Sequence, residues 1–145
     1  MKRKPSRVEQ VFAQMAIQAS KTDPVLSELD TVLDTDPLYQ QMCAKLDKLA
    51  GGARPGDVLL RMLLVKDLYA WSEREIAEQA EDSLVLRWFC RLGLQPAPTA
   101  SLLSQAASQV PSAMLEELAN RVEQASERAK SSEGRLRPQL RQRWR

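Results

Sequence analysis

The sequence contains no histidine in 145 residues, and that excludes several chemistries at once. There is no Ser-His-Asp triad, no Cys-His pair and no His-liganded metal. The two cysteines, Cys43 and Cys90, sit among apolar neighbours and read as buried structural thiols, too few for a zinc cluster or a disulfide framework. Adjacent acids such as Glu81-Asp82 and Glu116-Glu117 point different ways on a helix and read as solvated face or cap. Gly51-Gly52 lacks the Gly-Lys-Ser/Thr that would make a phosphate loop. No cofactor, metal or small-molecule substrate is therefore expected.

Basic and hydroxyl side chains remain. Arg87 and Arg91 stand at i, i+4 spacing, Arg74 lies one turn into a helical segment, and Arg54 and Arg61 flank another. Ser72, Thr99 and Ser101 fall at helix starts, where backbone amides can hold a phosphate. Residues 1–7, with Lys2, Arg3, Lys4 and Arg7, carry +4; residues 128–145 carry +6; the stretch between carries −8. Guanidinium, ammonium and hydroxyl donors on a helical scaffold are the chemistry of phosphate-backbone contact, and basic ends are where such contact starts. A structural reading stands beside each: Arg74 can pair with Glu78, Arg87 can solvate a helix face, and the hydroxyls can cap. Trp71 and Trp88 read as core, whereas Trp144 in the Arg-rich end could stack on a base.

The elements that must position these groups are all helices. Ala, Leu, Gln, Glu and Arg abound, and strand-forming runs are nearly absent. A Ser6/Glu9 capping box opens a helix over about 7–20. Asp23-Pro24 and Asp36-Pro37 each pair an N-cap with a first-turn proline and start two more, the third ending at Gly51. A fourth runs from Pro55 to about Ala70, apolar on more than one side and so central. Ser72/Glu75 box a fifth, Asp82 or Ser83 caps a sixth ending at Gly93, Thr99 or Ser101 caps a seventh, and Pro111 separates an eighth. The expectation is an all-α, compact multi-helix bundle of about eight helices over residues 1–130. A basic tail of residues 131–145 without fixed structure follows. The three helices between 55 and 92 have spacing compatible with a helix-turn-helix, which any small bundle also gives. No apolar run reaches membrane-spanning length, and no signal-peptide core follows the basic start; a reduced cytoplasmic setting is expected.

From Ala53 the chain reads ARPGDVLLRMLLVKDLYAWSEREIAEQAEDSLVLRWFCRLGL. The ordered set Arg54-Pro55, Leu59 to Leu64, Leu68-Tyr69, Ser72, Arg74-Glu75, Leu86 to Phe89 and Leu92 to Leu94 resembles the N-terminal domain of DDE-type insertion-sequence transposases. The likeness continues more weakly through Pro98-Thr99-Ala100-Ser101-Leu102, where Gln105 stands at a position that the family tends to fill with Arg. Gly134-Arg135-Leu136-Arg137 resembles the basic stretch before the family's catalytic core, yet no Asp follows Asp82, so the magnesium-binding carboxylates are missing. The resemblance implies a non-catalytic DNA-binding and assembly module with the catalytic domain missing, a truncated gene being the expected origin. Its candidate DNA contacts are Lys2, Arg3, Lys4, Arg54, Arg74, Arg87, Arg91, Thr99 and Ser101. Its expected partners are double-stranded DNA at element ends, a second copy, or a full-length transposase. The alternative is a protein-interaction bundle without specific DNA recognition.

Overall fold

A computed structural model describes residues 4–52 and 54–133. Eight α-helices account for the regular structure of these residues, apart from one 3-10 turn over Leu49–Gly52. They are α1 (Arg7–Ser20), α2 (Pro24–Asp34), α3 (Pro37–Leu46), α4 (Gly56–Tyr69), α5 (Glu73–Asp82), α6 (Leu84–Phe89), α7 (Ala100–Gln109) and α8 (Ser112–Glu133).

The starts follow from short polar side chains. Ser6 accepts from the Glu9 amide at 3.1 Å while Glu9 returns to the Ser6 amide at 2.8 Å, and Ser72 with Glu75 repeats the arrangement at 3.1 and 2.9 Å. Asp23, Asp36, Ser83 and Thr99 cap α2, α3, α6 and α7 by accepting from the amides of Leu26, Leu38, Leu86 and Leu102.

Three ends differ from the sequence reading. Helix α3 stops at Leu46, five residues before Gly51, and the chain tightens into the 3-10 turn before Gly52 takes a positive φ of 79°. Helix α6 stops at Phe89 and not at Gly93, because Arg91 adopts the left-handed conformation at φ 61°. The Leu92 amide then reaches back to the Arg87 carbonyl, closing a Schellman-type end. Ala70 ends α4 in the same way at φ 60°, with the Trp71 amide on the Lys66 carbonyl. Helix α8 continues to Glu133, beyond residue 130 where the sequence pattern fades. Residues 134–145, where the basic tail was expected, lie outside the described residues.

Helix α4 is the axis of the bundle: eleven of its fourteen residues are buried, so it has no solvent face to define a stripe. It lies against α3, α5, α7 and α8, while α2 lies along α8 and α1 sits on α6. The core joins Leu26, Leu29 and Leu33 of α2, Met42 and Leu46 of α3, Leu59 to Val65 of α4, Ile76 and Ala80 of α5, Phe89 and Cys90, Leu103 and Ala106 of α7, and Leu118 and Val122 of α8. Among the described residues no helix is long and apolar enough to cross a membrane.

Candidate nucleic-acid interface

The arginines divide by what surrounds them. Arg61 projects from the centre of α4 and is 0% exposed. Its Nε donates to the Tyr39 hydroxyl at 2.7 Å, Nη1 to Asp30 at 2.7 Å and to the Phe89 carbonyl at 2.9 Å, and Nη2 to Asp34 at 3.0 Å. The guanidinium also lies 4.9 Å from the Phe89 ring centre and 5.4 Å from that of Tyr39. One side chain thus fastens α2, α3 and α6 to α4. Asp30 and Asp34, one turn apart on α2, hold Arg91 as well, through Nη2 at 3.3 Å and at 2.7 Å. Those ion pairs account for a bulky residue in the left-handed conformation at the end of α6.

Arg87 is buried too, and every partner recorded for it is on its own side of the molecule. Nε donates to the Gly93 carbonyl at 3.0 Å, Nη1 to the Ala80 carbonyl at 3.1 Å, and Nη2 to the Gln95 carbonyl. The charge faces the carbonyl end of α5, where a cation is favoured, and fixes the turn that leads out of α6. Arg74 stands 83% exposed on α5, 3.5 Å from Glu78 at i, i+4. Thr99 caps α7 and Ser101 is exposed in its first turn. Lys4 is exposed ahead of α1, and Arg54 is half-buried just before α4; Lys2 and Arg3 lie outside the described residues. The described candidates differ in their surroundings. Arg87 is buried against backbone carbonyls, Arg91 is exposed and paired with Asp30 and Asp34, and Thr99 and Ser101 share the start of α7.

Helix α7 has an outer face that is polar and uncharged. Leu103 and Ala106 bury its inner side, while Ser101, Ser104, Gln105, Ser108 and Gln109 are exposed and none is charged. The entering loop is held by Glu81, whose carboxylate accepts from the Ala97 amide at 2.6 Å. The face offers hydroxyl and amide groups that donate and accept, and such groups can meet base edges or phosphate oxygens. By contrast α6 has six residues and buries Leu86, Arg87 and Phe89, so it is seated in the core.

Three further basic residues stand near the α3–α4 junction, two of them not singled out from the sequence. Lys45 and Lys48 are exposed at the end of α3, Arg54 is half-buried just before α4, and the Gly56 amide donates to Asp47 at 2.5 Å. Three bases within ten residues were the available signal. Acids prevail elsewhere: the described residues hold 14 Lys and Arg against 19 Asp and Glu, and two of the 14, Arg61 and Arg87, are buried. No three His, Cys, Asp or Glu side chains gather among the described residues to form a metal-ion site.

Burial pushes the Cys90 thiol up to about 12 and the Cys43 thiol up to about 11, so neither is a nucleophile near neutral pH.

No curated protein and no solved structure matches the chain. A protein-family comparison does match, over residues 14–109, with the family described as a transposase domain (DUF772). That span runs from the middle of α1 to the last residue of α7 and covers the arginine network and the polar face together. The chain belongs to this transposase domain family.

Proposed function

We propose that the chain is a non-catalytic DNA-binding and assembly module derived from a bacterial insertion-sequence transposase. Helix α7 is its reading element, and the basic ends of the chain supply phosphate contact. The exposed row of Ser101, Ser104, Gln105 and Ser108 on α7 carries this reading. Gln side chains make bidentate contacts to adenine, and Ser adapts to either partner of a base pair. With an acidic body, attraction to the phosphate backbone falls to Lys2, Arg3, Lys4 and Arg7 and to the arginines after residue 134.

Fluorescence anisotropy with duplexes bearing an element's terminal repeat, at low and physiological salt, tests the reading. Replacing the basic residues of both ends by Gln should flatten the salt dependence and weaken all duplexes alike. Gln105→Ala should reduce the preference for the terminal repeat by about tenfold, the value of roughly one bidentate contact. If Gln105→Ala leaves that preference untouched, α7 is not the reading element.

The acid excess over residues 4–133 favours a second reading, a protein-interaction bundle without specific DNA recognition. Binding in that case would be independent of DNA.

A further inference from the structure

Helix α1 carries two apolar stripes, and only one of them is covered. Phe12, Ala16 and Ser20 face α6, with Ala16 at 3% exposure. Val8, Val11 and Met15 form a second row at the i, i+3, i+7 spacing of a helix-pairing seam, with Gln18 in the next position of that row. These three apolar side chains are 66%, 45% and 51% exposed. Beside them, Val11, Gln14, Met15, Ile17 and Gln18 join Leu84 of α6 around an open groove of about 590 Å³. Large apolar side chains in one contiguous row on a small protein mark an interaction surface.

We propose that this outward stripe of α1 is covered by the same stripe of a second copy of this chain, the two helices running antiparallel about a twofold axis between Val11 and Met15. Charge selects this occupant. The row Val8, Val11, Met15 and Gln18 contains no ionisable side chain, so a copy of itself meets no like charge, whereas a partner recognised by charge finds nothing to pair with. Charge also favours exchange between copies. Residues 1–7 carry +4 at the very start of α1, while residues 8–133 hold 12 basic against 19 acidic residues, a balance of −7. A parallel pair would stack two +4 segments on each other. The antiparallel pair carries each basic segment across to the acidic body of the other copy, the arrangement opposite charges favour. Gln18 at the end of the row places an amide at the rim of the seam, where polar seam residues fix register. A helix of 14 residues is about 21 Å long, so the seam is short and the dimer belongs to the micromolar class. The inference deepens the interaction reading and does not depend on DNA contact.

The test is sedimentation equilibrium of the full chain without DNA, at 50 and 500 mM salt and up to about 100 µM, a range that spans the dissociation constants expected of small interfaces. The wild type should dimerise, more tightly at low salt, and Val11→Glu/Met15→Glu should weaken the dimer at least about tenfold with helical circular dichroism unchanged. If that pair of charges impairs folding, Val11→Asn/Met15→Gln supplies the same reading without charge. To fix direction, Val8→Cys in a background with Cys43→Ser and Cys90→Ala should form no intermolecular disulfide on mild oxidation, whereas Gln14→Cys, near the axis, should. A wild type that remains monomeric overturns the proposal. So does a dimer that survives both double variants, though such a dimer leaves the interaction reading standing on another face. A Val8→Cys dimer would overturn the antiparallel pairing.

Discussion

Arg61 sets the problem at the scale of single residues: a full charge at zero exposure in the most apolar helix of the bundle. Burial of an unpaired guanidinium is prohibitive, so the position persists only because two carboxylates, a phenol and a carbonyl surround it. That arrangement makes the charge specific more than it makes it stabilising. Removing it takes the Arg61 donors away from the Tyr39 hydroxyl and the Phe89 carbonyl and leaves Asp30 and Asp34 with Arg91 as their shared cation. We expect Arg61→Met to lower stability by about 3 kcal/mol, the lower end for breaking a buried pair because Asp30 and Asp34 keep some contact with water. Urea denaturation measures it. Adding Asp30→Asn and Asp34→Asn should deepen the loss, since the same two carboxylates hold Arg91. A loss below about 1 kcal/mol, the size of a single ordinary hydrogen bond, would show that the cluster does not hold the helices together.

Helix ends and crossings decide matters at the scale of elements. Where α3 meets α4, Gly56 leaves no room for a side chain: a Cβ there would collide with the Cys43 carbonyl and come within 2.9 Å of the Asp47 amide. Both obstacles are backbone and neither can swing away. Gly56→Ala should therefore cost roughly 2–3 kcal/mol, the penalty of overfilling a rigid contact, read as a lowered midpoint at unchanged slope. The opposite sign is expected at the far end of the same helix. Ala70 is exposed and holds a left-handed conformation that a Cβ disfavours. Ala70→Gly should gain up to about 1 kcal/mol. Arg91 shares that backbone conformation, yet Arg91→Gly would also lose the pairs with Asp30 and Asp34, so relief of strain would not appear as a gain.

Across the whole molecule, closure depends on contacts between elements distant in sequence. Arg121 of α8 reaches Asp36, the N-cap of α3, at 2.5 Å and so ties the long last helix to the start of the third. Burial raises the Asp36 carboxyl, but the Arg121 hydrogen bond and charge, with the amides of Leu38 and Tyr39, outweigh it and hold the group below the ordinary carboxylate value. A carboxyl lowered by folding adds stability that is complete above its unfolded value, about pH 4, and disappears as pH falls through the folded one. Asp36→Asn keeps an acceptor for the Leu38 amide and removes the charge. The gap in urea midpoint between wild type and this variant should be widest near neutrality and should close below about pH 4. A gap of constant size down to pH 2.5 would assign the loss to capping geometry instead.

The sequence by itself determined the helices and the family. Caps, prolines and apolar spacing are local, so the starts of α1, α2, α3, α5 and α7 could be read within a few residues, and α4 could be named as central because apolar side chains surround it. The order LYxxSxRE before LRWF carried the resemblance that the family comparison shows. Helix ends were less legible, because a left-handed arginine is held by acids nearly sixty residues away and no local residue announces it. Only the tertiary structure decided what each arginine does. Arg54, Arg74, Arg87 and Arg91 look alike in one dimension, and Arg61 could have been flagged only as a charge inside an apolar run. Whether a guanidinium faces water, a carbonyl or a carboxylate depends on which helices are laid against its own. That juxtaposition buried Arg87, set Arg91 against two acids of α2, left α7 with a neutral polar face, and left the second stripe of α1 exposed.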